Sequence, residues 1–213
     1  MKRGTVVLDA GHGGTEKIGG SSPNNATSPS GVKEKDVTLD LVRKTRDALR
    51  KLATDGKHEV HIFLTRDDDT NLGLSDRARL ARQTDADLFL SIHCNASDAH
   101  NARGVETLIR PREHDNPNYD DDLALATTIQ KAVFTAVQNR DPKTRDRRVK
   151  DQRLGVLNDA FLAKKTKACL VEVEFIDRAD VDALLNTGPN ATAVRTEIAE
   201  ALAGALLASL GEG

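Results

Sequence analysis

The chain has 213 residues, a length that suits one sizeable domain able to bury its own core. Its 31 basic and 33 acidic residues leave a net charge of -2, which excludes the basic excess of a nucleic-acid-binding protein. Aromatic residues are 3% of the total with no Trp, which argues against stacking platforms for bases or sugars, and no run approaches the ~20 apolar residues of a membrane span.

In chain order, residues 4–9 (GTVVLD) read as a short, β-branched, buried strand. The first apolar run is too short for the core of a signal peptide, so the chain as given is expected to be soluble and without an export address. Residues 10–33 are a loop of Gly, Ser, Asn, Thr and Pro, and loops this long are usually functional or disordered. Residues 35–52 read as a helix with Val37, Leu41, Ala48 and Leu52 on related faces. Residues 58–65 (HEVHIFLT) are strand-like, and LSDRARLARQ (74–83) is a helix with a small apolar face of Leu74, Ala78 and Ala81. DLFLSIH (87–93) is the clearest buried strand, GVETLI (104–109) another strand, and 120–138 a helix. Segment 139–153 is the most polar, and its basic stretch from Arg140 to Arg153, interleaved with Asp141, Asp146 and Asp151, reads as a solvated loop, with a substrate-contacting loop as the sharper alternative. A strand over 168–176 (ACLVEVEFI) precedes a long final helix. Pro189 suits that helix's first turn, Val194, Ile198, Leu202, Leu206 and Leu210 repeat every four residues along it, and Gly211 fits its stop. Cys94 and Cys169 fall inside apolar runs and read as buried free thiols. Alternating strands and helices predict a single α/β domain: a mostly parallel (mixed), twisted sheet of about six strands with helices on both faces.

The loop VVLDAGHGG (6–14) poses the chemical question. A histidine among glycines after a strand can sit in a phosphate cradle, in a plain tight turn, or at a metal. GHGG lacks the Lys-Ser/Thr of a P-loop and the glycine spacing of a dinucleotide fold. Ligands of open α/β sheets sit at the carboxyl ends of strands, and His12, His93 and either Glu172 or Glu174 fall there. Glu34, at the start of the first helix, is a further carboxylate that can face the same rim, although the helix dipole favours an acid there in any case. Two His and one Glu make a common catalytic zinc set with one position open for water. A carboxylate within the apolar strand LVEVEFI is expensive to bury unless something pairs with it or needs it. Glu172 and Glu174, two apart, share a face if the strand is regular. His58, His61, His100 and His114 are weaker candidates, being on a strand of mixed facing or in polar loops.

The blocks VVLDAGHGG (6–14), GVKEKDVTLDLVRKTRDAL (31–49), FLTRDDD (63–69), LSDRARLARQTDADLFLSIHCNAS (74–97), GVETLI (104–109), RRVKDQRLGVL (147–157) and LVEVEFI (170–176) span nearly the whole chain. In this order they resemble the zinc-dependent N-acetylmuramoyl-L-alanine amidases of the Amidase_3 family. The resemblance implies that His12, Glu34 and His93 hold one catalytic Zn2+ and that Glu172 is the essential glutamate of the last strand. Glu174 falls where the family more often has a small residue, and it and Asn95 are further candidates on the substrate side. The implied reaction is hydrolysis of the amide between N-acetylmuramic acid and L-alanine in bacterial peptidoglycan, by a metal-activated water with a glutamate as base and then acid. The implied enzyme is a single catalytic domain spanning 1–213, a monomer acting on the cell wall or in the periplasm. It would be either a phage lysis enzyme or a domain of an exported amidase. The compact stretch after GVETLI leaves no obvious room for the inhibitory helix of some family members. The competing readings are an inactive peptidoglycan-binding module and a zinc peptidase acting on other peptides.

Overall fold

A computed structural model describes residues 1–212 and builds one mixed sheet in the strand order β2-β1-β3-β6-β4-β5. The strands are β1 (Lys2–Ala10), β2 (Glu59–Leu64), β3 (Leu88–Asn95), β4 (Val105–Ile109), β5 (Asp146–Asp151) and β6 (Lys167–Phe175). A two-residue seventh strand, β7 (Gly211–Glu212), pairs antiparallel with Lys2 and Arg3. The helices are α1 (Glu34–Asp55), α2 (Leu74–Gln83), α3 (Tyr119–Arg140), the single turn α4 (Ala179–Asp182) and α5 (Ala191–Ser209). Among β1 to β6 the sheet is parallel except where β4 meets β6, so β4 and β5 run against β1, β2, β3 and β6. That reversal places the amino ends of β4 and β5 on the same rim as the carboxyl ends of β1, β3 and β6.

Alternation along each strand divides the core in two. Val6, Leu8, Leu90, Ile92, Val171 and Val173 face the larger layer, where α1, α3 and α5 bury their apolar stripes. Val7, Phe89 and Leu170 face a smaller layer with Ala78 and Ala81 of α2 and the turn at Val156 and Leu157. By the same parity, Asp9, Ser91, His93, Glu172 and Glu106 point to the smaller layer's side. Burying the repeat Val194–Ile198–Leu202–Leu206–Leu210 at ~1.5–3 kcal/mol per side chain anchors α5 on the sheet.

Three expectations need correction. Segment 139–153 is not a solvated loop throughout, because it contains the edge strand β5. Its charged residues alternate between exposed and half-buried, since only one face is covered, and Val149 alone carries the apolar signal. Leu52 is 38% exposed, because the buried stripe of α1 runs through Thr45, Leu49 and Ala53 and leaves Leu52 beside it. The loop 11–33 is ordered by contacts rather than by regular structure. Asn71 donates to the carbonyls of Glu16 and Ser21, Lys35 to that of Gly14, and the amide of Gly13 to the carbonyl of Pro23.

Candidate metal centre

His12 leaves β1 on a left-handed backbone (φ 62), a conformation that is costly for a residue with a Cβ and that recurs at functional sites. Two buried arginines hold that turn. Arg77, on α2, donates to Asp9 Oδ1 (2.9 Å), to the carbonyls of Ala10 (2.6 Å), His12 (2.8 Å) and Leu72 (3.0 Å), and to Asn71 Oδ1 (3.0 Å). Arg66 donates to the carbonyls of Ala10, Gly11, Lys35 and Asp68. Gly11 is obligatory for another reason, since a Cβ there would run into the His93 ring.

The first turn of α1 brings Glu34 to the same place. Its Oε2 accepts from the Ala26 amide (3.1 Å) and its Oε1 from the Cys94 amide (3.1 Å). Oε1 then lies 3.2 Å from His12 Nε2 and 3.0 Å from His93 Nδ1. One donor atom from each of His12, Glu34 and His93 falls within a 4.8 Å cluster. The two His rings stand edge to face, 4.8 Å between centroids. A small pocket of about 120 Å³, lined by His12, His93, Ser22, Leu74 and Arg77 among others, opens beside them.

The donor set fits a divalent cation such as zinc. Ligands at ~2.0–2.1 Å in a tetrahedron stand ~3.3 Å apart, close to the two Glu34-to-His separations. His12 Nδ1 is 2.9 Å from the Ser22 carbonyl, which can only accept, so Nδ1 carries a proton and Nε2 of the neutral ring turns its lone pair towards Glu34. A lone pair facing a carboxylate oxygen is tolerable only with a proton or a cation between them. The charges respond accordingly. Burial disfavours ionised Glu34, but the two histidines outweigh burial and hold its pKa down to about 2. Burial likewise disfavours charged His12, and Glu34 outweighs it, so the His12 pKa is raised.

The two glutamates of β6 end in different environments. Glu172 is in register with His93 on one side and Glu106 on the other. Its Oε2 is shielded and has no hydrogen-bond partner among the described residues. Burial pushes its pKa up to about 8, against the pull of His93 and with help from Glu34 and Glu106. The β3–β6 pairing then slips, with Asn95 opposite Phe175, and Glu174 lies within the bulge. Glu174 is fully buried and accepts from Arg103, Thr144 Oγ1 and the amides of Gly104 and Phe175. Asn95 Nδ2 donates to Glu106 Oε1 (2.8 Å). The structure thus gathers His12, Glu34, His93 and Glu172 along one rim and gives Glu174 over to an ion pair. His58, His61, His100 and His114 lie outside the cluster.

Sequence reasoning missed Asp9, Ser22, Arg66 and Arg77. For Arg77 a signal existed: it lies three residues from Leu74 and four from Ala81, on the apolar face of its own helix.

The fold and the residues on its rim define an open-sheet α/β protein with a three-donor cluster at the strand ends that could hold a metal ion. The chain belongs to the N-acetylmuramoyl-L-alanine amidase family, whose model matches residues 6–204. It is 37% identical over 184 residues to the endolysin of Bacillus phage SPP1, covering 84% of this chain and 58% of the phage protein. It is 32% identical over 182 residues to the N-acetylmuramoyl-L-alanine amidase LytC of Bacillus subtilis, covering 82% of this chain and 30% of LytC. The crystal structure of N-acetylmuramoyl-L-alanine amidase from Clostridium difficile 630 matches with a TM-score of 0.76 at 27% identity, covering 98% of this chain and 97% of that one. The chain therefore spans little more than half of the phage relative and less than a third of LytC.

Proposed function

We propose that this chain is a zinc-dependent peptidoglycan amidase that cleaves the amide between N-acetylmuramic acid and L-alanine. The observation that carries the reading is the convergence of His12, Glu34 and His93 next to a shielded, unpartnered Glu172 carboxylate, in a chain of this family. His12, Glu34 and His93 would hold one zinc ion, which when bound supplies Lewis acidity to the scissile carbonyl and to an attacking water. Glu34 is the anionic member of the set, fixed by two backbone amides. Ser22 sets the His12 tautomer. Arg77 and Gly11 hold the turn that aims His12 and leaves room for the His93 ring. Glu172 takes the proton of the attacking water on Oε2 and passes it to the departing L-alanine amine. Its unpartnered oxygen is free to take the proton and to give it up again. In this reading residues 1–213 act as one catalytic domain, a monomer working on the bacterial cell wall. Among the described residues no helix is long and apolar enough to cross a membrane.

Digestion of purified peptidoglycan with product analysis by mass spectrometry tests the reading. Free stem peptides beginning with L-alanine, lost on chelation and restored by zinc, are expected. Cuts within the stem peptide would make the chain a peptidase, and binding without release a wall-binding module.

A further inference from the structure

A second charged cluster lies one strand beyond Glu172. Glu106 of β4 pairs in register with Glu172, and its Oε2 accepts from Arg147 Nε (2.7 Å) and from Lys150 Nζ, both on β5. Side chains three apart on a regular strand point to opposite faces. Here they converge because β5 carries a bulge: Val105 pairs with Asp146, but Thr107 already pairs with Val149. Arg148 takes up the extra residue on a left-handed backbone (φ 69), its amide donating to Asp146 Oδ1. That conformation is costly for arginine, and its effect is to put both cations on the Glu172 side of the sheet.

Two cations against one carboxylate leave one positive charge unmatched. The Glu106 side chain is 9% exposed, whereas Arg147 is 32% and Lys150 43% exposed, so the acid is covered and the cations remain open. Among the described residues Arg147 donates only through Nε, and its guanidinium lies 4.9 Å from the centre of the Phe175 ring. That stacking sets the plane of the group and leaves its two Nη atoms for a planar, bidentate acceptor. His93, Glu172 and Glu106 sit on three successive strands, so Glu106 is about 10 Å from His93. An extended peptide advances about 3.3 Å per residue, which brings the cations level with groups two to three residues past the scissile amide.

We propose that Arg147 and Lys150, brought together by the Arg148 bulge, form a specificity subsite for a free carboxylate on the peptide side of the substrate. The proposal rests on the amide-hydrolysis reading of the neighbouring centre. Its test uses two synthetic muramoyl-L-alanyl peptides that differ only in whether the carboxylate of the second residue is free or amidated. The protein is expected to favour the acid in kcat/KM by on the order of ten-fold, the difference lying in KM. Arg147→Gln and Lys150→Gln bring that ratio towards one, and Lys150→Glu reverses it, with thermal melts confirming that each variant is folded. A second arm titrates the two released peptides, the L-alanyl-γ-D-glutamyl acid and its amide, into the zinc-loaded protein by calorimetry. Equal cleavage of acid and amide overturns the subsite and leaves the amidase reading standing. Acid-selective binding without cleavage keeps the subsite and overturns the amidase reading. Failure to cut or bind either peptide overturns both.

Discussion

Replacing Arg77 by Met is the sharpest single perturbation of this fold. The side chain is 2% exposed, and its partner Asp9 is fully buried. Methionine fills much of the volume but leaves the Asp9 carboxylate with Ser91 and Thr65 as its remaining donors. It also removes a donor from the carbonyls of Leu72, Ala10 and His12. Breaking a buried ion pair from one side costs about 3–5 kcal/mol, and each orphaned buried carbonyl adds about 1 kcal/mol, partly relieved by relaxation. A total of roughly 5 kcal/mol is expected, a third or more of the stability of an ordinary domain. For a chain of this size that is a fall in Tm of roughly 10–20 °C. Urea unfolding of Arg77→Met, Asp9→Asn and the double variant measures it. The double variant has no stranded charge, so it is expected to be more stable than the sum of the single losses by about 2 kcal/mol or more. Acid reaches the same pair from the other side. Burial works against ionised Asp9, but Arg77 and the hydroxyl donors outweigh it and hold its pKa below 3.8. The stability this supplies is present above 3.8 and lost as pH falls through the depressed value. An Arg77→Met protein within about 1 kcal/mol of the parent, or strictly additive single and double losses, would refute the reasoning.

The glutamates of β6 are expected to separate cleanly. Glu172→Gln keeps the fold and binds zinc but loses about 10²–10⁴-fold in amidase activity, whereas Glu174→Gln loses roughly 2–4 kcal/mol of stability through the Arg103 pair. An active Glu172→Gln beside a folded but inactive Glu174→Gln would exchange the two roles. A third expectation concerns pH. Burial, with help from Asp159, raises the Asp122 pKa from 3.8 to about 7. The folded state therefore holds a proton that the unfolded chain has given up, and stability falls as pH rises from about 4 to about 7, by up to about 4 kcal/mol. Denaturation midpoints at several pH values should show a shallower slope for Asp122→Asn, and parallel profiles would count against this account.

How much of this was legible in the sequence depends on how local the cause is. Periodicity marked β1, α2, β3, β6 and α5, because alternation and the helical repeat are written into neighbouring residues. A histidine after one buried strand and another closing a second placed both on one rim, since parallel strands share their carboxyl ends. The charge-rich edge strand β5 stayed hidden, because a strand covered on one face shows only half a hydrophobic signal.

What the tertiary structure alone decided is which distant groups meet. Glu34 joins the histidines because α1 starts at the mouth of β1 and two backbone amides hold its carboxylate. A slip in the β3–β6 register parts Glu172 from Glu174, although two-residue spacing puts them on one face of a regular strand. Antiparallel β4 turns its amino end to the rim that carries His12 and His93, and a bulge in β5 swings Arg147 and Lys150 onto Glu106. The sequence by itself determined the elements and the types of side chain available at their ends. Strand register, bulges and buried long-range ion pairs depend on contacts between residues tens of positions apart, and no local pattern carries that information.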